Sequence, residues 1–174
     1  MYSINELQLI RDLPDQDLDW VLDLVAARTK ADHAILTMLD EDGQNAIYLP
    51  RPRFSWQNDA SFSRRFGPHY CDLIRTTGKT VCINDVRLEK HIEPSALMVE
   101  NEIFAFLGAP ILDPNSEVIG TLVALSKHPR LWNKTEKKDI ERFAGLVNKM
   151  VLLRASLETI KCLAVETQQE RKGS

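Results

Sequence analysis

The feature that most limits what this chain can fold into is its last quarter. Residues 134–169 contain no proline and a single glycine, so nothing in them stops a helix once it has started. Phe143, Leu146, Met150, Leu153, Leu157, Ile160 and Ala164 follow one another at steps of 3, 4, 3, 4, 3 and 4 residues. That is a heptad a/d stripe, the pattern of a helix that packs along another helix. A helix of about 36 residues is about 54 Å long, whereas a small domain is about 30 Å across. Its far half must therefore overhang the domain, and the apolar stripe there calls for a further surface. Two readings follow: the near half packs on the domain and the tail frays, or the stripe pairs with a second copy of the chain, parallel or antiparallel. The second is the expectation, with Leu146, Met150, Leu153, Leu157 and Ile160 as the dimer interface. Thr135 is the expected cap of this helix; Lys138 three residues on does not complete a capping box, while Glu136 and Asp139 suit the positive N-terminal end.

The rest of the chain must supply the domain. Leu18, Val21, Leu22 and Val25 recur at helical steps within residues 2–30, and Pro14 separates a short leading turn from the main helix. His33–Leu39 reads as a strand, 40–43 (Asp-Glu-Asp-Gly) as a turn and Gln44–Leu49 as the returning strand. Residues 50–66 hold two prolines and scattered aromatics without a period, which marks a long loop of the functional or mobile kind. A short helix is expected over His69–Thr77, closed by Gly78, then a strand at Lys79–Asn84, a helix near Ser95–Asn101, and a hairpin of Phe104–Leu112 and Glu117–Leu125 about a turn holding Pro114. Hairpin signals dominate and no strand–helix–strand repeat is visible. The expected fold class is α+β, with a mostly antiparallel sheet and helices on its faces.

Totals exclude several classes. The chain has 174 residues, enough for one full core and too few for two ordinary domains. A net charge of −3 gives no basic excess for nucleic-acid binding. No apolar run approaches the roughly 20 residues that span a bilayer. The first residues lack the basic start, apolar stretch and small-residue site of a secretory signal. Cys71, Cys82 and Cys162 show no C-x-x-C spacing and read as small apolar residues kept reduced. A cytoplasmic location without nucleic acid, membrane or metal is the expectation.

Two segments then carry a resemblance. Residues 76–87, TTGKTVCINDVR, and residues 100–147, with Leu-Gly-Ala-Pro, a turn, Ile-Gly-Thr-Leu and Pro-Arg before an aromatic and a helix, resemble GAF domains in order and spacing. The likeness covers about residues 16–155. It implies a central antiparallel sheet of about six strands, with the N- and C-terminal helices on one face and short helices and loops over a ligand pocket on the other. The domain would span residues 1–155, and 156–174 would be the overhanging dimerisation and signalling helix. The residues fit the likeness: Gly108 and Gly120 interrupt strand patterns, Pro110 suggests an edge or a bulge, and Asp85 and Arg87 can pair at a strand end.

The segments that would roof such a pocket are 50–72 and 84–104. They hold Trp56, Phe62, Phe66, His69, Tyr70, Arg87, His91, Phe104 and Phe106. The candidate ligand-binding residues are Trp56, Phe66, His69, Tyr70, Arg87, His91 and Phe104, with Arg87 suited to an anion through its fork of donors. Against this, the aromatics also serve as core, Arg87 as a structural partner of Asp85 or Glu89, and the two histidines as ordinary surface or helix-start residues. The expected function is a sensory and regulatory domain that couples a small-molecule ligand to the packing of a helical homodimer, with a signalling protein as a further partner. The alternative is a ligand-free GAF-fold module for dimerisation or protein interaction. An enzyme is not expected. GAF-type methionine sulfoxide reductases need a cysteine where this chain has Ile92-Glu93-Pro94, and no other nucleophile–base set appears. Bilin attachment and haem ligation find at most partial signals around Cys71, His69 and His91, and the cyclic-nucleotide pattern breaks off after Asn133-Lys134-Thr135-Glu136. No cofactor is assigned.

Overall fold

The computed structural model describes residues 16–39, 45–48, 70–90 and 96–172. Helix α1 (Gln16–Thr29) leads into β1 (His33–Leu39) and β2 (Asn45–Tyr48). Then come α2 (Tyr70–Thr77), β3 (Val81–Ile83), a 3-10 turn (Val86–Leu88), α3 (Ala96–Glu100), β4 (Ala105–Leu112), β5 (Val118–Ser126) and α4 (Lys134–Lys172). The described strands form one five-stranded sheet in the order β2-β1-β5-β4-β3, with each pair antiparallel. The α+β class and its antiparallel sheet stand as expected from the sequence.

Side chains alternate across the strands and build a core on each face. On one face Leu36 and Met38 of β1, Leu107, Ala109 and Ile111 of β4, and Leu122 and Ala124 of β5 pack under α1 and α4. The helices contribute Leu18, Val21, Leu22 and Val25 from α1, and Ile140, Ala144, Val147 and Val151 from α4. Arg28 at the end of α1 donates to Asp139 near the start of α4 at 2.9 and 3.2 Å, so the two helices run in opposite directions. On the other face Ile35, Ile83, Phe106, Val123 and Leu125 pack under α2, the 3-10 turn and α3.

The glycines and prolines act where the chain needs them. Gly120 lies so close to β1 that a Cβ would come within 2.3 Å of the Thr37 carbonyl oxygen, and the β4–β5 register slips beside it, between Ile111 and Leu112. Pro110 lies beyond the end of β3, which pairs only with Phe106–Gly108, so its missing N–H falls on an open edge. Gly78, at φ +62°, closes α2 while its N–H bonds the Ile74 carbonyl.

The cap of α4 differs from the expected Thr135. Asn133 is the cap: its Oδ1 accepts from the Glu136 N–H and its own N–H donates to Glu136 Oε2, both at 2.9 Å. This is a full capping box with asparagine in the capping place. The helix begins at Lys134, and Arg130 braces its cap. Its guanidinium lies 4.3 Å over the Trp132 ring and donates to Glu136, while the Trp132 indole N–H bonds the Ile83 carbonyl at 3.0 Å. The Pro-Arg-x-aromatic stretch is thus a tie between the helix start and β3.

Among the described residues of α4, none beyond Val151 is buried. At 1.5 Å per residue the 39-residue helix is about 58 Å long. Leu146, Leu153, Leu157 and Ile160 are 42, 63, 48 and 62% exposed, whereas Phe143 and Met150 are partly buried against the core. The seam is split accordingly: its first members lean on the domain and its later members face outward. Trp20 of α1, 63% exposed, adds an outward aromatic on the same side of the sheet. No described helix is long and apolar enough to cross a membrane.

Candidate functional site

The face away from the long helices carries the polar chemistry. Successive β1 residues point to opposite faces, so Thr37 shares the α2 side with Ile35, and Thr121 of β5 shares it with Val123. Thr37 and Thr121 are cross-strand partners in register, and both are buried. Their hydroxyls meet at 2.6 Å, and the Thr121 hydroxyl also donates to Cys71 Sγ at 3.4 Å. Burial raises the Cys71 thiol from 9.0 to about 11, against the pull of the two threonine hydrogen bonds, so at neutral pH it is a thiol and not a thiolate.

Tyr70 opens α2 one residue before Cys71. Its ring is tilted against Phe106 with centroids 5.2 Å apart. The ring is buried and, among the described residues, its hydroxyl has no hydrogen-bond partner. Burial, with the nearby Glu89 carboxylate, raises it from 10.0 to about 12. It is therefore a neutral donor with no acceptor among the described residues. Leaving such a group unpaired costs about 1–3 kcal/mol.

Arg87 and Phe104 are brought together, but on an outward turn. Asp85 accepts from Arg87 Nε at 2.9 Å and from Nη2 at 2.7 Å, and the guanidinium lies 4.6 Å over the Phe104 ring. The hydrogen bonds from Arg87 hold the Asp85 carboxyl below its usual range. Asp85 also caps the 3-10 turn by accepting from the Arg87 N–H. The fork of Arg87 is thus already occupied by a carboxylate of its own chain. Trp56, Phe62, Phe66, His69 and His91 lie outside the described residues.

Thr37 and Thr121 are the residues that sequence reasoning passed over. Each reads as an ordinary β-branched strand residue. The signal was there in the register: two hydroxyls within apolar runs, on strands that pair, both pointing to the α2 face.

The profile of the GAF domain family matches residues 14–151. No curated protein matches the chain in sequence. Among solved structures, the GAF domain of the Acinetobacter phosphoenolpyruvate-protein phosphotransferase is 18% identical, covers 86% of this chain and 90% of its own, and superposes with a TM-score of 0.64. A domain assigned to a two-component sensor histidine kinase protein of Sinorhizobium meliloti 1021 is 16% identical over 84% and 97%, with a TM-score of 0.63. The cyanobacteriochrome TePixJ GAF domain is 16% identical over 85% and 95%, with a TM-score of 0.60. At these identities the solved structures bear on fold alone. The match of the family profile to most of the chain, on the two-faced antiparallel sheet just described, shows that it belongs to the GAF domain family.

Proposed function

We propose that this chain is a cytoplasmic sensory and regulatory domain that binds a small molecule over the α2 face and passes the binding state to its long helices. The observation that carries the reading is the Tyr70 hydroxyl, buried and unpartnered among the described residues, beside the Thr37–Thr121–Cys71 group. An apolar surface with a few convergent polar groups is how small ligands are held. Domains of the same fold in a phosphotransferase protein, a sensor kinase protein and a photoreceptor support the regulatory part. The same reading makes the chain a binder and not an enzyme: Cys71 is hydrogen-bonded and protonated, which denies it the thiolate that nucleophilic chemistry needs.

The long helices supply the output. Leu153, Leu157 and Ile160 form an exposed stripe beyond the core, and a second copy would cover it. A ligand that orders the α2 face shifts the sheet against α1 and α4, and so biases how two copies pack.

Native mass spectrometry of freshly purified protein, with Tyr70→Phe beside it, tests the ligand. An added mass that is lost or weakened in Tyr70→Phe supports the reading; binding that is unchanged in that variant removes Tyr70 from the site. Light scattering on a Leu153→Lys, Leu157→Lys double variant tests the seam, and a persistent dimer would sink it as the interface.

One observation favours the ligand-free alternative. The space over Gly108 already holds Ile74 Cδ1, 2.5 Å from where a Cβ would stand, and the Phe106 ring at 2.9 Å. Part of the face is thereby filled by its own side chains. A clean apo dimer from the same mass spectrometry supports this module reading.

A further inference from the structure

A hollow lies at the edge of the sheet under α4, lined by neither Tyr70 nor the Thr37–Thr121 pair. β3 pairs only with Phe106–Gly108, while β4 runs on to Leu112, so among the described residues the end of β4 has no strand partner on that side. Helix α4 passes over that edge. Between them is a hollow of about 530 Å³, floored by Ala109, Pro110 and Leu112. Small residues on α4 make the room. A Cβ built on Gly145 would meet no described atom within 4 Å, and Ala144 precedes it.

Three polar groups border this space. Asn148 Oδ1 is buried and, among the described residues, accepts no hydrogen bond. Glu141, one helical turn before Gly145, uses Oε1 to accept from the Thr80 hydroxyl at 2.8 Å. Lys79, beside Thr80, brings an exposed ammonium to the same rim. The lining thus holds one carboxylate, one cation, apolar β4 residues and Asn148, whose Oδ1, unmet among the described residues, reaches the space once the side chain turns.

We infer that this hollow is a second ligand site, independent of the α2 face, for a free amino acid with an apolar side chain. An ammonium has three N–H donors, enough for both Asn148 Oδ1 and Glu141. Its carboxylate would pair with Lys79, and its side chain would cover the Ala109–Pro110–Leu112 floor. A ligand of one charge sign only would meet a like charge at the rim. The volume lies within the range of small-molecule sites, about 300–1,000 Å³. Strand addition along the open edge is the competing use of such a place, and Pro110 opposes it by lacking an N–H there.

The test is an amide chemical-shift titration of the full chain with L-leucine. Saturable shifts are expected at Lys79, Thr80, Gly145 and Asn148, at an affinity of millimolar or tighter. Gly145→Leu, whose side chain would enter the empty space, should weaken binding by about tenfold or more. Lys79→Glu is an exposed change that leaves the core intact, and it should do the same. Tyr70→Phe should leave the titration unchanged. N-acetyl-L-leucine, without the ammonium, and L-leucinamide, without the carboxylate, should each bind more weakly than leucine. Absence of saturable shifts, shifts confined to α2 and β1, or shifts that survive Gly145→Leu would overturn the site. Equal binding of the acetylated compound would overturn its assignment to amino acids.

Discussion

The two faces of the sheet are closed in different ways. Under α1 and α4 the core is made almost wholly of aliphatic side chains, with Leu22, Val25, Leu36, Leu107, Ile140 and Val147 at essentially zero exposure. The Arg28–Asp139 pair and the Asn133–Glu136 box keep polar atoms at the ends there, and Asn148 is the exception farther along α4. Under α2, among the described residues, hydroxyls and a thiol are set into the core: Thr37, Thr121, Cys71 and Tyr70, whose hydroxyl has no partner among them. A sheet needs only one face to be fully apolar to hold together. The other can then carry groups that lower stability, which is where binding groups are expected.

The largest effect that would sharpen this contrast is on the helix face. Ile140→Ala removes a fully buried side chain between α4 and the sheet. It should cost about 2–5 kcal/mol, the range for large-to-small changes in a core. Urea unfolding followed by circular dichroism measures it. A cost below about 1 kcal/mol would mean that this face tolerates loss as a ligand-binding face does, and the contrast would fail.

A smaller effect separates structure from site at the threonine pair. Thr121→Val leaves the Thr37 hydroxyl buried without its partner and should cost about 1–3 kcal/mol. Adding Thr37→Val removes both hydroxyls at nearly constant shape, and the double variant should recover most of that loss. If the pair serves only the fold, the double variant behaves as wild type in every assay. If it belongs to a binding floor, the double variant is stable and yet loses any co-purifying mass.

The two faces also differ in how much of them the sequence disclosed. α1, β1, α2 and the β4–β5 hairpin are where periodicity and turn residues place them, because each is an amphipathic or alternating segment whose pattern is set by one local neighbour. The seam was legible for the same reason, although its split into inward Phe143 and Met150 and outward Leu153 and Ile160 needed the sheet. The Asn133 cap was missed because the decisive partner is Arg130, tied in turn to Trp132 and to the Lys30 carbonyl 100 residues earlier. The candidate site was legible only as a region. Tyr70 was singled out only as one polar residue in the segments expected to roof a pocket. Arg87 was seen as a possible anion fork, but Asp85 two residues away already fills it. The Thr37–Thr121 contact exists only through register, 84 residues apart.

The smallest effect comes from the groups on the α2 face that burial keeps protonated. The thiol of Cys71 is raised from 9.0 to about 11 and the hydroxyl of Tyr70 from 10.0 to about 12. In both cases the folded state holds a proton that the unfolded chain gives up at lower pH. Where the native state binds more protons, stability falls as pH rises. Their contribution is therefore fully present below about pH 9 and is lost progressively up to about pH 12. Replacing the thiol, in Cys71→Ala, should flatten the lower part of that fall, and Tyr70→Phe the upper part from about pH 10 to about pH 12. At neutral pH Tyr70→Phe removes a donor that lacks a partner among the described residues while keeping the ring on Phe106. It should leave stability unchanged or raise it by up to about 1 kcal/mol, since an unmet hydrogen bond is lost rather than a made one. Urea unfolding at pH 7 and pH 11 reads both. A loss above about 1 kcal/mol at pH 7 would show that the hydroxyl already has a partner within the chain. In that case the α2 face would hold no unmet group among Tyr70, Thr37, Thr121 and Cys71, and its claim to hold a ligand would pass to the hollow beside Asn148.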